Sequence, residues 1–412
     1  MSKSKTFCIL PWTHIASYTD GSALLCCISN SEHSLNLNKL SLQEVWNSEH
    51  FKSARRDMLA GKQFKNCAAC YKEEAVGIYS HRQIENHIWK NKLGEDYINE
   101  LVSKTNTDGT LDANWITLDL RLGNTCNLQC VMCRPVDSSK WVKHATILKQ
   151  ELKTDAKWDW KHKIDSYSTN NFEWYKDAEF LKDFYDSAED LRHIIFGGGE
   201  PLYIKEHKEI LKKLVSIGAA SNIELRYHTN GTIYDKEVVD LWKQFKYVDV
   251  MISVDGAKEI NDYIRYPADW DTIERNLHLY DQTPNNIDIK ILCTVQALNI
   301  YYLPEFADWL LMQNYKKINK PRLDGIFHTG ILHYPQYLCA KVLPKNTKAK
   351  ITEKIYNYAA ANTDNPSIQR LKKMADFMNS EDWSHLLDQT EEYVLKLDKL
   401  RHTNSKFFTD LL

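Results

Sequence analysis

The run ITLDLRL (116–122), followed almost at once by TCNLQCVMCRP (125–135), decides the reading of this chain. The first run reads as a β-strand. The second places Cys126, Cys130 and Cys133 within eight residues, in the spacing Cys-x3-Cys-x2-Cys. Cysteines just past the carboxyl end of a strand lie where parallel α/β folds build their ligand sites. A tetrahedral zinc site would need a fourth protein ligand or a water. A cubane 4Fe–4S cluster gripped at three corners would instead leave one iron open to a small molecule. Spacing alone leaves both readings standing.

Working outward, five more runs have strand character: HIIFG (193–197), IELRYHT (223–229), VDVMISV (248–254), IDIKILCTV (287–295) and LDGIFHT (323–329). Amphipathic helical runs such as KEHKEILKKLVSIG and DKEVVDLWKQF separate most of them. Six strands alternating with helices imply parallel pairing through right-handed crossovers, either as an open doubly wound sheet or as a barrel-like array. The first crossover, about 135–191, is long and carries Trp141, Trp158, Trp160 and Trp174. These tryptophans either cap a substrate cavity or pack a satellite core. Ahead of the array, residues 1–92 hold five cysteines and little periodicity. Within them LSLQEVWNSEHFKSARRDMLAG reads as one helix closed by Gly61. A polar linker covers 93–114, the strand–helix array 115–330, and a helical region 331–412.

The bulk numbers exclude several classes. The chain has 412 residues, 43% of them hydrophobic and 26% charged, as ordinary globular proteins do. A net charge of −2 gives no general basicity to call for nucleic acid. No run approaches the roughly 18 apolar residues of a membrane span. Met1 to Thr6 lack the apolar core of a signal peptide, so a cytoplasmic location is expected. Eight of the ten cysteines fall in the first third, and in a reducing compartment such clustering points to metal or redox work.

The later strand ends narrow the choice. FGGGEP (196–201), HTNGT (228–232) and ISVDG (252–256) follow the second, third and fourth strands. Each alone is an ordinary turn. In this order, after the three-cysteine loop, they resemble the core motifs of radical S-adenosylmethionine (SAM) enzymes over about residues 115–330. The resemblance implies a partial (β/α)6 barrel and a 4Fe–4S cluster on Cys126, Cys130 and Cys133 whose open iron SAM chelates. It implies that Gly198, Gly199 and Glu200 hold the methionine end and that Met132 lies against the adenine. Asn230 of the TNGT motif joins the cofactor-binding set, and Ser253 and Asp255 approach the ribose. Arg265, in INDYIRYP, matches an arginine that some relatives place near the SAM carboxylate, where a surface salt bridge is its plain alternative. The reaction implied is reductive cleavage of SAM to a 5′-deoxyadenosyl radical, followed by hydrogen abstraction, with electrons from a flavodoxin- or ferredoxin-type donor.

Cys8, Cys26, Cys67 and Cys70 form a second set. CILPWTHIASYTDGSALLCC, with Gly21 five positions before Cys26, and the Cys67-x2-Cys70 knuckle resemble the auxiliary iron–sulfur domain called SPASM and its shorter relative, twitch. The resemblance implies a second, auxiliary 4Fe–4S cluster, with Cys27 as the alternative to Cys26. A four-cysteine zinc site is the structural alternative. This domain usually follows the barrel, whereas here it precedes it.

Among isolated residues, Cys293 reads as a small buried side chain. Cys339, in YPQYLCAK, is a candidate hydrogen donor or another packed thiol. His228 and His328 end strands as substrate contacts or hydrogen bonders. The expected function is an oxidative modification of a peptide or protein, as in the maturation of ribosomally made peptides. A small-molecule radical dehydrogenase acting on a sugar, alcohol or nucleoside is the alternative. A non-catalytic zinc scaffold is the rival from another class.

Overall fold

The computed structural model describes residues 4–412 other than 31, 33, 76, 78, 152–170 and 321–326. The fold is α/β with mostly parallel strand pairing, in two compact units. The first takes in Met1–Asn124, Asn170–Arg226 and Gln244–Tyr247, the second Thr125–Thr169, Tyr227–Lys243 and Val248–Leu412.

In the first unit β1 (His14–Ser17), β2 (Ala23–Leu24), β3 (Thr117–Arg121) and β4 (His193–Gly197) lie in the order β2-β1-β3-β4. β2 is antiparallel to β1, while β1–β3 and β3–β4 are parallel. Thr117 stands opposite His14 on one side and His193 on the other. Side chains alternate across a strand. Leu118, Leu120, Ile194 and Phe196 therefore share one buried face, and His14, Thr117, Asp119 and Arg121 share the other. The front region thus supplies a strand to the parallel array, although its sequence shows little periodicity.

The single helix expected over 40–61 is two, Leu42–Trp46 and Glu49–Leu59. The break is held by a partner distant in sequence. The Asn47 carboxamide oxygen accepts from Leu111 N–H at 3.0 Å and from Arg55 Nη1 at 3.0 Å. Ser48 then caps the next helix by accepting from Phe51 N–H. Arg55 is fully buried and donates to the carbonyls of Pro11, Trp46 and Gly109, tying the front segments together. The expected linker holds a helix of its own, Glu95–Ser103. Gly61 follows at φ +75°, closing the second helix as its sequence position implies.

β5 (Glu224–Thr229) contributes its first three residues to the first unit and its last three to the second. In the second unit β6 (Tyr247–Ser253), β7 (Ile287–Val295) and β8 (His328–Ile331) pair in parallel, with Val248 opposite Ile287 and Leu292 opposite His328. Along β7, Ile287, Ile289, Ile291, Cys293 and Val295 are buried, and the residues between them are half-buried. The strand expected over 323–329 begins later, at His328, and residues 323–326 lie outside the described residues. Helices Lys205–Ser216 and Lys236–Trp242 occupy the two runs expected to be helical. Beyond residue 330 the chain folds mainly into helices, chief among them Lys345–Ala361, Leu371–Asn379 and Leu387–Arg401.

In the long crossover Trp158 and Trp160 lie outside the described residues. Trp141 and Trp174 are buried packing groups. The first donates to the Cys130 carbonyl at 2.9 Å, the second to the Thr19 carbonyl at 3.1 Å. Among the described residues no helix is long and apolar enough to cross a membrane.

Candidate functional site

The second unit contains the three-cysteine loop. Cys126 is buried, and Cys130 and Cys133 are partly exposed. Backbone bonds fix the loop's course. Val131 N–H donates to Ile264 C=O at 2.7 Å, and Cys133 N–H donates to Cys130 C=O at 2.9 Å. Tyr393, from the helix Leu387–Arg401, donates its hydroxyl to Val131 C=O at 2.8 Å, and Arg401 donates to Gln129 C=O at 2.6 Å. Two side chains approach the sulfurs. The Asn230 amide nitrogen lies 4.0 Å from Cys126 Sγ, and Arg265 Nη1 lies 4.0 Å from Cys130 Sγ. Burial pushes the Cys130 thiol up, and the Arg265 guanidinium pulls it back. Burial raises the Cys133 thiol too, with further contributions from Asp137, Cys130 and Cys126. Cys133, whose ionisation the two neighbouring thiols oppose, belongs to a donor set that a metal centre, by replacing protons, relieves.

Arg265 is 7% exposed, so it makes no surface salt bridge. Its Nε lies 2.9 Å from Asp255 Oδ2 in a buried ion pair. The other Asp255 oxygen accepts from Thr294 N–H at 2.7 Å. Both oxygens of the carboxylate expected at the ribose are therefore engaged by protein groups, and Asp255 fixes Arg265. Asn261 accepts from Asp255 N–H at 3.1 Å, and Asn299 donates to Asp255 C=O at 2.9 Å. Ser253 ends β6, half-buried. Met132 is half-buried, with its sulfur 4.0 Å from the Gln296 amide nitrogen.

The Asn-Gly turn does more than reverse the chain. Asn230 donates to Asn127 Oδ1 at 2.8 Å and accepts from Thr232 N–H at 2.9 Å, while Asn127 donates to Thr232 Oγ1 at 2.8 Å. This closed ring joins the end of β5 to the cysteine loop. Gln296 and Asn299 escape a motif-based reading because each is a polar residue at an unremarkable spacing, whereas Asn127, Thr232 and Asn261 lie inside runs that the sequence singles out for other residues.

In the first unit Gly198 has φ +106°, and a Cβ there would come within 2.8 Å of the Gly123 carbonyl oxygen. Gly199 N–H donates to that same carbonyl at 3.1 Å. Glycine at 198 is thus required by its own chain. Glu200 is 1% exposed and caps the turn Pro201–Tyr203, accepting from Leu202 N–H at 3.1 Å.

The first unit also gathers the front cysteines. Cys8, Cys26, Cys67 and Cys70 line one largely apolar cavity with Leu10, Ile28, Ser29, Ala69, His81 and Arg82. Cys27 does not line it. Burial raises the Cys8 thiol, with Cys26, Cys67 and Cys70 adding to it. Burial lifts Cys67 to about 12, with Cys70 contributing. Cys27 instead has Asp119, Arg121 and Glu85 as its electrostatic neighbours. Among the described residues no group of three or more His, Cys, Asp or Glu is placed to hold a single metal ion. A cubane spreads its thiolates farther apart than one ion does, and a cavity lined by four cysteines suits it.

Cys339 is fully buried between two short turns of the C-terminal region, with Lys341, Lys348 and Glu381 as its electrostatic neighbours. Cys293 is fully buried on β7, 3.8 Å from the Asn299 amide nitrogen. His228 and His328, on β5 and β8, are exposed. On β1 and β3, His14 Nε2 and Thr117 Oγ1 are buried without a hydrogen-bond partner among the described residues.

Residues 120–293 match the family model of the radical SAM superfamily, and residues 8–71 match that of the iron–sulfur cluster-binding SPASM domain. The first domain implies SAM and a 4Fe–4S cluster, the second an auxiliary iron–sulfur centre. The chain is 33% identical over 129 residues to the mycofactocin maturase MftC of Mycolicibacterium smegmatis, covering 31% of this chain and 32% of the relative. It is 25% identical over 185 residues to the Fe-coproporphyrin III synthase of Methanosarcina barkeri, covering 42% and 45%. These matches thus span about a third and under half of the relatives' lengths. Among solved structures, SuiB of Streptococcus suis aligns over 88% of this chain and 70% of its own, at 11% identity and a TM-score of 0.34.

Proposed function

We propose that this chain, a radical SAM protein with a SPASM-type iron–sulfur domain at its front, cleaves SAM reductively and abstracts a hydrogen atom to begin an oxidative modification of a peptide or protein. The observation that carries the reading is the three-cysteine loop itself. Its sulfurs are attended by a buried arginine and a buried asparagine, each delivered by a different downstream motif. When bound, the cluster and SAM supply a 5′-deoxyadenosyl radical able to attack an unactivated C–H bond.

The chain's own residues then have distinct tasks. Cys126, Cys130 and Cys133 hold three corners of the cluster, and Arg265, braced by Asp255, compensates charge beside Cys130. Asn230 ties the loop to β5. Gly198, Gly199 and Glu200 form the cradle for the methionine end. Met132 and Ser253 contribute to the adenosine side. Cys8, Cys26, Cys67 and Cys70 hold the auxiliary cluster, which a flavodoxin- or ferredoxin-type donor or the substrate radical can address. Similarity to a protein named a maturase supports the peptide class. Similarity to an Fe-coproporphyrin III synthase supports the second reading, a small-molecule substrate.

Anaerobic reconstitution tests the proposal. About eight irons per chain and release of 5′-deoxyadenosine from SAM under a strong reductant are expected. Cys126→Ala should abolish that release. Zinc uptake with no SAM cleavage by the parent protein would overturn the reading in favour of a structural scaffold.

A further inference from the structure

The cavity formed by the four front cysteines has one buried cation, Arg82, supplied from beyond the residues that match the SPASM model. Its side chain is 8% exposed. The guanidinium is fixed in three directions. Nε and Nη2 donate to the two carboxylate oxygens of Glu74 at 3.0 and 2.5 Å, and Nη1 donates to the Phe7 carbonyl at 2.5 Å. The Tyr71 ring lies 5.6 Å from its central carbon. Glu74 stands four residues after Cys70 on the helix Ala68–Ala75, and Phe7 directly precedes Cys8. Both arms of the clamp are therefore built from segments that carry cysteines.

Arg82 lines the same cavity as Cys8, Cys26, Cys67 and Cys70. A cubane bound by four thiolates is net negative, and more so once reduced. In a cavity with little water, a fixed cation favours the more negative state and so raises the reduction potential.

We propose that Arg82, positioned by Glu74 and Phe7, is the charge partner of the auxiliary cluster and sets its reduction potential. The inference rests on the reading that these cysteines hold an iron–sulfur cluster. Its test isolates that cluster in a Cys126→Ala, Cys130→Ala, Cys133→Ala background, reconstituted anaerobically and titrated by EPR-monitored potentiometry. The background protein should hold about four irons per chain. Adding Arg82→Gln should move the midpoint to a more negative potential, and Arg82→Lys should bring it back toward the parent value. An Arg82→Gln protein with full iron and an unmoved midpoint overturns the proposal. If Arg82→Gln and Arg82→Lys both fail to bind iron, Arg82 is a structural clamp and the proposal also falls. A background protein that takes up no iron refutes the cluster assignment itself, and with it this role.

Discussion

At the residue scale, the choice between Cys26 and Cys27 turns on where each side chain faces. Spacing after Gly21 favours Cys26, but adjacent cysteines cannot be separated by sequence alone. Burial and the charges of Asp119 and Glu85 hold the Cys27 thiol at about 11, against an opposing pull from Arg121. Cys27→Ser should therefore keep about eight irons per reconstituted chain, and Cys26→Ala should fall to about four. The reverse pattern would reassign the ligand. His14 permits a pH prediction. Burial, aided by the charge of His81, lowers its pKa to about 3, below an unfolded value of about 6.5. The unfolded chain thus binds the proton that the folded chain refuses. The stability contributed is fully present above about pH 6.5 and is lost progressively as pH falls toward 3. Between pH 6 and 4, urea unfolding of the parent should show an acid slope exceeding that of His14→Gln by up to about 1.4 kcal/mol per pH unit. Equal slopes would show that His14 is protonated in place.

At the element scale, the strands the sequence announces best are those buried on one face. β4 and β7 coincide with their expected runs because apolar and β-branched residues there answer directly to burial. β1 could not be read. Four residues beside a proline-led turn have no period to display, and their pairing depends on β3, about a hundred residues away. The break at Asn47–Ser48 was equally hidden, since its cause is Leu111, distant in sequence. The motifs were legible as positions but not as interactions. Glycine at 198 was visible, yet the reason for it lies in Gly123. Gly198→Ala should destabilise the protein by more than about 1 kcal/mol, because the backbone conformation and the Gly123 carbonyl both oppose a side chain. Equilibrium denaturation of the variant would measure it, and unchanged stability would mean that the turn relaxes freely.

At the scale of the whole molecule, the front segment shares a sheet with the strand that follows the expected linker. Residues 1–92 look like a module followed by a linker. Yet β1 pairs with β3 in parallel register, and Arg55 is buried among carbonyls from Pro11 to Gly109. The candidate site was legible wherever chemistry demands a rare residue, as with cysteine. It was illegible where Gln296, Asn299 and Arg401, outside every quoted motif, do the holding. The pairing of β1 with β3 also bears on how such a protein can be made and divided. A strand born early in synthesis must wait for a partner that the ribosome delivers about a hundred residues later. Cutting the chain at the apparent linker would strip β3 of a neighbour and leave its edge open to other chains. The front segment and β3 are therefore best expressed and engineered as one piece.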